Sequence, residues 1–297
     1  MNWPYVATFI ALHLSLVLAC IPWLFSWTAV ITTIVCVHVF GQSITLCYHR
    51  LLTHRSARVP PWLERAFVIL ALCCLEDTPG KWVATHRYHH QFSDEEKDPH
   101  TPRVTFFWSH MGWLMQYSKA SHNVEVLRKY APDILKERFY MKLEKSMHWA
   151  WIYAAHALLF FAAGFVLGVV TDGGAMAGLQ LGSSMLVWAV LVRTVVVWHI
   201  TWSVNSLSHV FGYANYDTKD DSRNNWLVAL VSVGEGWHNN HHHDPASASN
   251  HHRWWELDLT YYEIRFLEWL GLAADVVHPR HRRHAHRPAN PEAVETR

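Results

Sequence analysis

Charge is scarce in this chain. Only 16% of its 297 residues are Asp, Glu, Lys or Arg, against roughly a quarter in ordinary soluble domains. The formal net charge of +1 comes with no long basic run to support nucleic acid as a partner, and no such partner is expected. Cysteine is also sparse. Cys20, Cys36, Cys47, Cys73 and Cys74 all lie in apolar runs with no C-x-x-C pair, which rules out an iron–sulfur site or a disulfide frame. There is no flavin fingerprint and no cytochrome b5-like heme motif. The N-terminus lacks a basic n-region and a small-residue cleavage site, so its first apolar run reads as a retained span.

What is abundant is apolar and aromatic: 51% hydrophobic residues and 17 Trp, the indoles clustered at the ends of apolar runs as interfacial belts are. Tyr5–Trp27, Thr28–Tyr48, Met147–Val170 and Met176–Trp202 are each about the length of a bilayer crossing. Trp62–Leu75 is shorter, carries Glu64 and Arg65, and suits a buried or interfacial helix.

Histidine is the other excess, at 24. Residues Trp82 to His100 read W-V-A-T-H-R-Y-H-H-Q-F-S-D-E-E-K-D-P-H, with His86, His89 and His90 at i, i+3, i+4 on one helical face. His238, His241 and His242 repeat that spacing in G-E-G-W-H-N-N-H-H-H. His49 and His54, in Y-H-R-L-L-T-H, stand roughly 140° apart on an ideal α-helix, a splay that suits a helix end straddling two metals. Eight imidazoles are too many for one metal and right for two, since neutral imidazole is a common ligand for iron, zinc or copper. Asn205 and His209, i and i+4 in W-S-V-N-S-L-S-H, share a face. They supply a ninth imidazole and an amide able to hold a metal-bound water. His13, His38 and His156, isolated in apolar runs, read as packed or interfacial side chains, and Arg193 as a cation paired within the bundle.

Topology follows from the clusters. His49/His54 and His86/His89/His90 must meet, so the segment between them does not cross the membrane, and only four spans bring all clusters to one face. The histidine side carries Arg50, Arg55, Arg58, Arg103 and the basic stretch Lys119 to Lys145, whereas 171–175 has no Lys or Arg. The positive-inside rule makes that side, and both termini, cytoplasmic. The expected organisation is all-α and integral to the membrane. Hairpins occupy 1–48 and 147–203, cytosolic regions 49–146 and 204–275 carry the histidines, and a basic, His-rich, disordered tail covers 276–297.

These motifs resemble the membrane fatty-acyl desaturases, whose mark is three histidine boxes. W-V-A-T-H-R-Y-H-H-Q-F-S-D, D-P-H, F-F-W-S-H-M-G-W-L, N-S-L-S-H, G-E-G-W-H-N-N-H-H and R-W-W-E-L-D-L-T-Y-Y-E-I are similar to the plant and bacterial Δ9 branch. The resemblance implies a four-span fold under a cytosolic cap and a di-iron centre. Carried over, the ligands are His49, His54, His86, His89, His90, His209, His238, His241 and His242, with Asn205 behind a water. Zinc is the substitute that recombinant material would take up. Trp82 and Trp202 match tryptophans that line the acyl tunnel of the animal enzymes. The animal Arg-Asp before the second box is Ala84-Thr85 here, and their Arg-Lys pair is Tyr117-Ser118. Lys81 and Lys119 are the nearest cations for a head group, so CoA, acyl carrier protein and membrane lipid all stay open as carriers.

The implied activity is O2-dependent insertion of a cis double bond, Δ9, into a long acyl chain. Two electrons come from a separate donor of the ferredoxin, rubredoxin or cytochrome b5 type. A hydroxylase or acetylenase on the same scaffold is the alternative. A metal carrier is disfavoured, because transporters place their ligands near the bilayer midplane and these boxes sit beyond the apolar runs.

Overall fold

The computed structural model describes residues 1–118 and 123–280. Four helices are long and apolar enough to cross a membrane: α1 (Trp3–Cys20), α2 (Trp27–Thr53), α9 (His148–Gly173) and α10 (Ala175–Val210). Between α2 and α9 lie α3 (Pro61–Leu72), α4 (Pro79–Phe92), α5 (Phe106–His110), α6 (Val124–Tyr130), α7 (Pro132–Lys136) and α8 (Arg138–Lys145). After α10 come α11 (Trp226–Val231), α12 (His238–His243) and α13 (Leu259–Trp269). Among the described residues there are isolated β-bridges but no strand.

The spans differ from the apolar runs at their ends, and the differences have local causes. The chain leaves α1 before Pro22, which cannot continue an α-helix, and re-enters at α2 with Ser26 as cap, its hydroxyl accepting from Ala29 N–H. The apolar signal of α2 fades at Tyr48, yet the helix runs to Thr53 because its last turns, Ser43–Thr53, widen to i→i+5 bonding. Likewise α10 outlasts its apolar run at Trp202 and continues to Val210. At about 1.5 Å per residue, a helix of 36 residues is far longer than a bilayer core of about 30 Å. Its last turns therefore stand in the cap.

α9 and α10 pack with backbones nearly touching. A methyl on Gly168 would lie 2.5 Å from the Ala177 carbonyl oxygen, so only glycine fits. Arg193, fully buried on α10, pairs within the bundle as expected. It donates to Cys73 O at 2.7 Å and to His156 Nε2 at 2.6 Å, and its guanidinium lies 4.0 Å from the Phe40 ring centroid. His156 is therefore Arg193's acceptor. His38, on α2, meets Glu263 of α13 at 2.9 Å, which ties the cap to the span.

Candidate metal centre

Nine imidazoles converge where α2, α4, α10 and α12 meet, and they sort into two groups. His49, His54, His86, His90 and His241 form one; His89, His209, His238 and His242 form the other; within each, one nitrogen per ring lies within 4.8 Å of all the rest. The expected splay of His49 and His54 is not found, since both belong to the first group. The widened turn is the reason: His54 N–H bonds His49 O at 3.1 Å, and in i→i+5 geometry the fifth residue returns over the first. The helices that straddle the two groups are α4, with His86 and His90 on one side and His89 on the other, and α12, with His241 opposite His238 and His242.

Carboxylates hold four of these rings from behind. Glu235 faces His49 Nδ1 at 2.8 Å, Asp98 His89 Nδ1 at 3.0 Å, Asp94 His209 Nδ1 at 3.0 Å, and Asp220 His242 Nδ1 at 2.7 Å. A carboxylate accepts, so each ring donates its Nδ1–H and keeps a bare lone pair on Nε2. Those lone pairs face one another. His89 Nε2 and His242 Nε2 are 3.4 Å apart, and with both Nδ1 hydrogens committed no proton remains to bridge them. Such a contact is repulsive until a cation sits between the rings. The buried His54 Nε2 and His238 Nδ1 have no hydrogen-bond partner. This donor set fits transition metal ions.

Electrostatics agrees. Burial, then neighbouring imidazoles, holds His54, His86, His90, His238 and His241 well below the ordinary imidazole range. Burial brings His242 down to about 4 even beside Asp220. Burial works against ionisation of the carboxylates, but His89 and His100 hold Asp98 below its ordinary range, His242 does the same for Asp220, and Arg50 with His49 holds Glu235 at about 2. His242 therefore stands as a neutral imidazole facing an ionised Asp220, the form a metal ligand requires.

Around this lies a buried frame. Arg50, next in chain to His49, donates to Glu235 at 2.9 Å and 3.1 Å and to both oxygens of Asp258 at 2.9 Å and 3.0 Å. Asp258 in turn accepts from Tyr261 N–H at the start of α13. Glu235 sits between two glycines, and a methyl on Gly236 would lie 2.1 Å from Ala229 N, so the turn must be glycine to bring Glu235 under His49. The four carboxylates and Arg50 back the imidazoles from positions that box spacing does not reveal. Asp94 and Asp98 stand in the polar run just after the second cluster and Glu235 three residues before His238. Asp220 leaves no local signal.

A cavity opens beside both groups, with about 980 Å³ of empty space that includes its open mouth. His49, His86 and His238 touch it, and so do Trp82, Trp202 and Asn205. Its wall is otherwise mainly apolar, including Phe9, Leu75, Trp113 and Trp198. Among the described lining residues there is no Lys or Arg. Lys81 instead lies 3.9 Å from Asp77, and Lys119 falls outside the described residues.

Comparison with known proteins fits this geometry. The family model described as fatty acid desaturase matches residues 23–275. An sn-1 stearoyl-lipid 9-desaturase of Synechocystis is 39% identical over 278 residues, 93% of this chain and 80% of that protein. One of the same name from Anabaena variabilis is 40% identical, covering 93% of each chain. An acyl-CoA 5-desaturase of Anemone leveillei is 40% identical over 87% of this chain and 74% of its own.

Proposed function

The chain belongs to the fatty acid desaturase family, and from that premise we propose that it forms a cis Δ9 double bond in a long acyl chain carried on a membrane lipid. The observation that carries this reading is the apolar cavity in contact with both imidazole groups. The lipid carrier is favoured by the cavity's lack of a lining cation and by the lipid substrates in the names of the two cyanobacterial relatives.

Two metal ions, which we take to be iron, would be held by the five-imidazole and four-imidazole groups, with Asn205 reaching one of them through water. Bound there, they supply the redox chemistry that an unactivated C–H bond demands and that no side chain can provide at neutral pH. The balance per turnover is –CH2–CH2– plus O2, two electrons and two protons, giving –CH=CH– and two waters. The electrons come from a separate carrier protein.

The chain's own residues bind, orient and shield. Trp82 stacks on His86 with ring centroids 5.0 Å apart, so the indole that packs against the acyl chain also fixes a ligand's plane. Trp202 and Trp198 stack at 5.4 Å and also line the cavity. Rigid aromatic walls hold one pair of methylenes beside the metals, and selectivity by position is orientation of this kind. The apolar lining excludes water from the reacting carbons. Glu235, Asp94, Asp98 and Asp220 keep each ring they hold aimed and, in its neutral form, in the one tautomer that leaves Nε2 free. The Lys and Arg excess on the histidine side supports a cytoplasmic site.

The test is expression in a desaturase-deficient host, with fatty acids profiled in each separated lipid class. New cis-9 monoenes in membrane lipids are expected. A hydroxylated or acetylenic product, or none with metal bound, overturns the reading.

A further inference from the structure

Three more histidines meet on the far side of Trp202. His13 of α1, His199 of α10 and His110 of α5 form a chain joined ring to ring, with links of 3.1 Å (His13 Nε2 to His199 Nε2) and 2.9 Å (His199 Nδ1 to His110 Nε2). Both ends of the chain are acceptors. His13 Nδ1 lies 2.7 Å from the Phe9 carbonyl, which only an N–H can satisfy. At the other end His110 Nδ1 is 2.9 Å from Ser206 Oγ, which gives its hydrogen to the Trp202 carbonyl at 2.8 Å, and His110 also bonds that carbonyl.

Hydrogens can be counted against links. Phe9–His13, His13–His199, His199–His110, His110–Ser206 and Ser206–Trp202 are five links, each needing one hydrogen. Three neutral imidazoles and one hydroxyl bring four. Starting from both carbonyl ends, the missing hydrogen falls between His13 Nε2 and His199 Nε2. In the neutral alternative Ser206 turns its hydrogen to His110, and two oxygens face each other unbridged at 2.8 Å. The hydrogen count alone places an added proton between His13 and His199. The indoles are placed to receive it, with His199 to Trp202 ring centroids 5.2 Å apart and His13 to Trp198 6.2 Å.

This chain has a mechanical consequence. α1 buries only Val6 and Phe9 between Trp3 and Ser15, yet its Tyr5 and Phe9 form part of the wall of the acyl cavity, Phe9 packed against Trp198 and Trp202 with ring centroids 5.0 Å and 5.4 Å away. Beyond that packing it is tied by Asn2 N–H to Met115 O at 2.7 Å, by Tyr5 to Asp77, and by His13 to His199. The other titratable groups on the adjoining elements are committed elsewhere. Asp77 holds Tyr5 and Lys81, Glu76 holds Thr201, and Arg193 holds His156.

We infer that His13, His199 and His110 together hold one proton beyond those of three neutral imidazoles, and that this proton fastens α1 over the cavity. An acyl lipid then enters from the bilayer through the α1–α10 seam when the proton is shed. The entry step rests on the desaturase reading; the proton and the fastening do not.

Amide hydrogen exchange of residues 3–20, followed by mass spectrometry on the metal-loaded enzyme in lipid nanodiscs, tests it. After correction for intrinsic rates, α1 should be about tenfold better protected at about pH 5.5 than at about pH 8.5. His199→Phe should exchange at the faster rate at both values. Should that variant fail to assemble, His110→Gln, which donates and accepts but holds no extra proton, should also lose the pH dependence. Equal protection at the two pH values in the wild type, or the same pH dependence in a variant, overturns the shared proton. If the protection behaves as expected but lipid turnover, corrected for the chemical step with a detergent-dispersed substrate, does not rise as protection falls, the seam is not the entry. Loss of all turnover with the exchange result intact would instead count against the desaturase reading.

Discussion

One helix, α10, presents histidine to two different tasks. His209, near its end, gives Nδ1–H to Asp94 and turns Nε2 toward His238 at 3.0 Å. His199, ten residues earlier, has no carboxylate behind it and hydrogen-bonds other imidazoles, in a chain that ends on backbone carbonyls. A carboxylate behind a ring fixes the tautomer and adds negative charge that a metal ion then offsets. A carbonyl at each end of a chain adds no net charge and leaves the rings short of a hydrogen. What stands behind an imidazole decides what it binds: a cation between lone pairs in the cap, a proton between rings at α1.

The sharpest way to break that contrast is to truncate each in turn. His209→Ala should abolish turnover as fully as His89→Ala and reduce the bound metal, although His209 lies outside the three boxes. His199→Ala should leave metal content at the wild-type level. Metal analysis of the purified proteins, with fatty-acid profiles of the expressing cells, reads both; equal metal loss in the two variants would erase the distinction.

Next in size is the carboxylate itself. Asp220→Asn keeps the shape at His242 but removes the charge and offers an amide donor where an acceptor stood. Metal affinity or activity should drop about 10–100-fold, as it does when ligand-orienting partners are lost. Titration of the metal-free protein with zinc measures this independently of turnover. An unchanged affinity would mean that the lone-pair cluster alone holds the metal.

The cap should also announce its neutral imidazoles by its response to acid. His54, His86, His90, His238 and His241 are depressed well below, and His242 to about 4 from, an ordinary value near 6.5. Between those limits the unfolded chain binds protons that the folded one refuses, so stability falls as pH drops from about 6.5 toward 4. Asp98 and Asp220, also depressed, extend the loss below about 3.8. Denaturant unfolding of the metal-free protein across this range should show the decline, and bound zinc should flatten its upper part. A flat profile without metal would contradict buried neutral rings.

Much of the fold and of the metal centre was legible in the residues, for physical reasons. Four long apolar runs must cross or pack, and i, i+3, i+4 imidazoles must share a face. His209 could be found because Asn205 lies one turn before it at a span's end. The rest depended on contacts between distant segments. The widened end of α2, which brings His54 beside His49, has no local signature. Asp220 reaches His242 across 22 residues, and His13, His110 and His199 are solitary in sequence, so isolated packing was the natural reading of His13. Span ends were misjudged where helices outlast their apolar stretch.

The smallest expected effect is at Lys81, which faces Asp77 in the wall of a cavity with no lining cation among its described residues. Its ammonium already faces Asp77 at 3.9 Å and its side chain is 38% exposed. Glu76, deeper in the wall, is no anchor for a charged head group either, since burial pushes its carboxyl up to about 8 while Thr201 accepts the role of donor to it. A contact from such a lysine to a phosphate is worth about 1 kcal/mol or less, so Lys81→Ala should cost no more than about fivefold in kcat/KM on any carrier. The acyl chain buries about 0.8 kcal/mol per methylene, so removing two should cost roughly tenfold or more. Steady-state rates for C16 and C18 chains on lipid and on CoA, in wild type and Lys81→Ala, set the two effects side by side. If Lys81→Ala removes nearly all activity on CoA while chain length hardly matters, the head group is what this cavity reads, and the aromatic walls are only its lining.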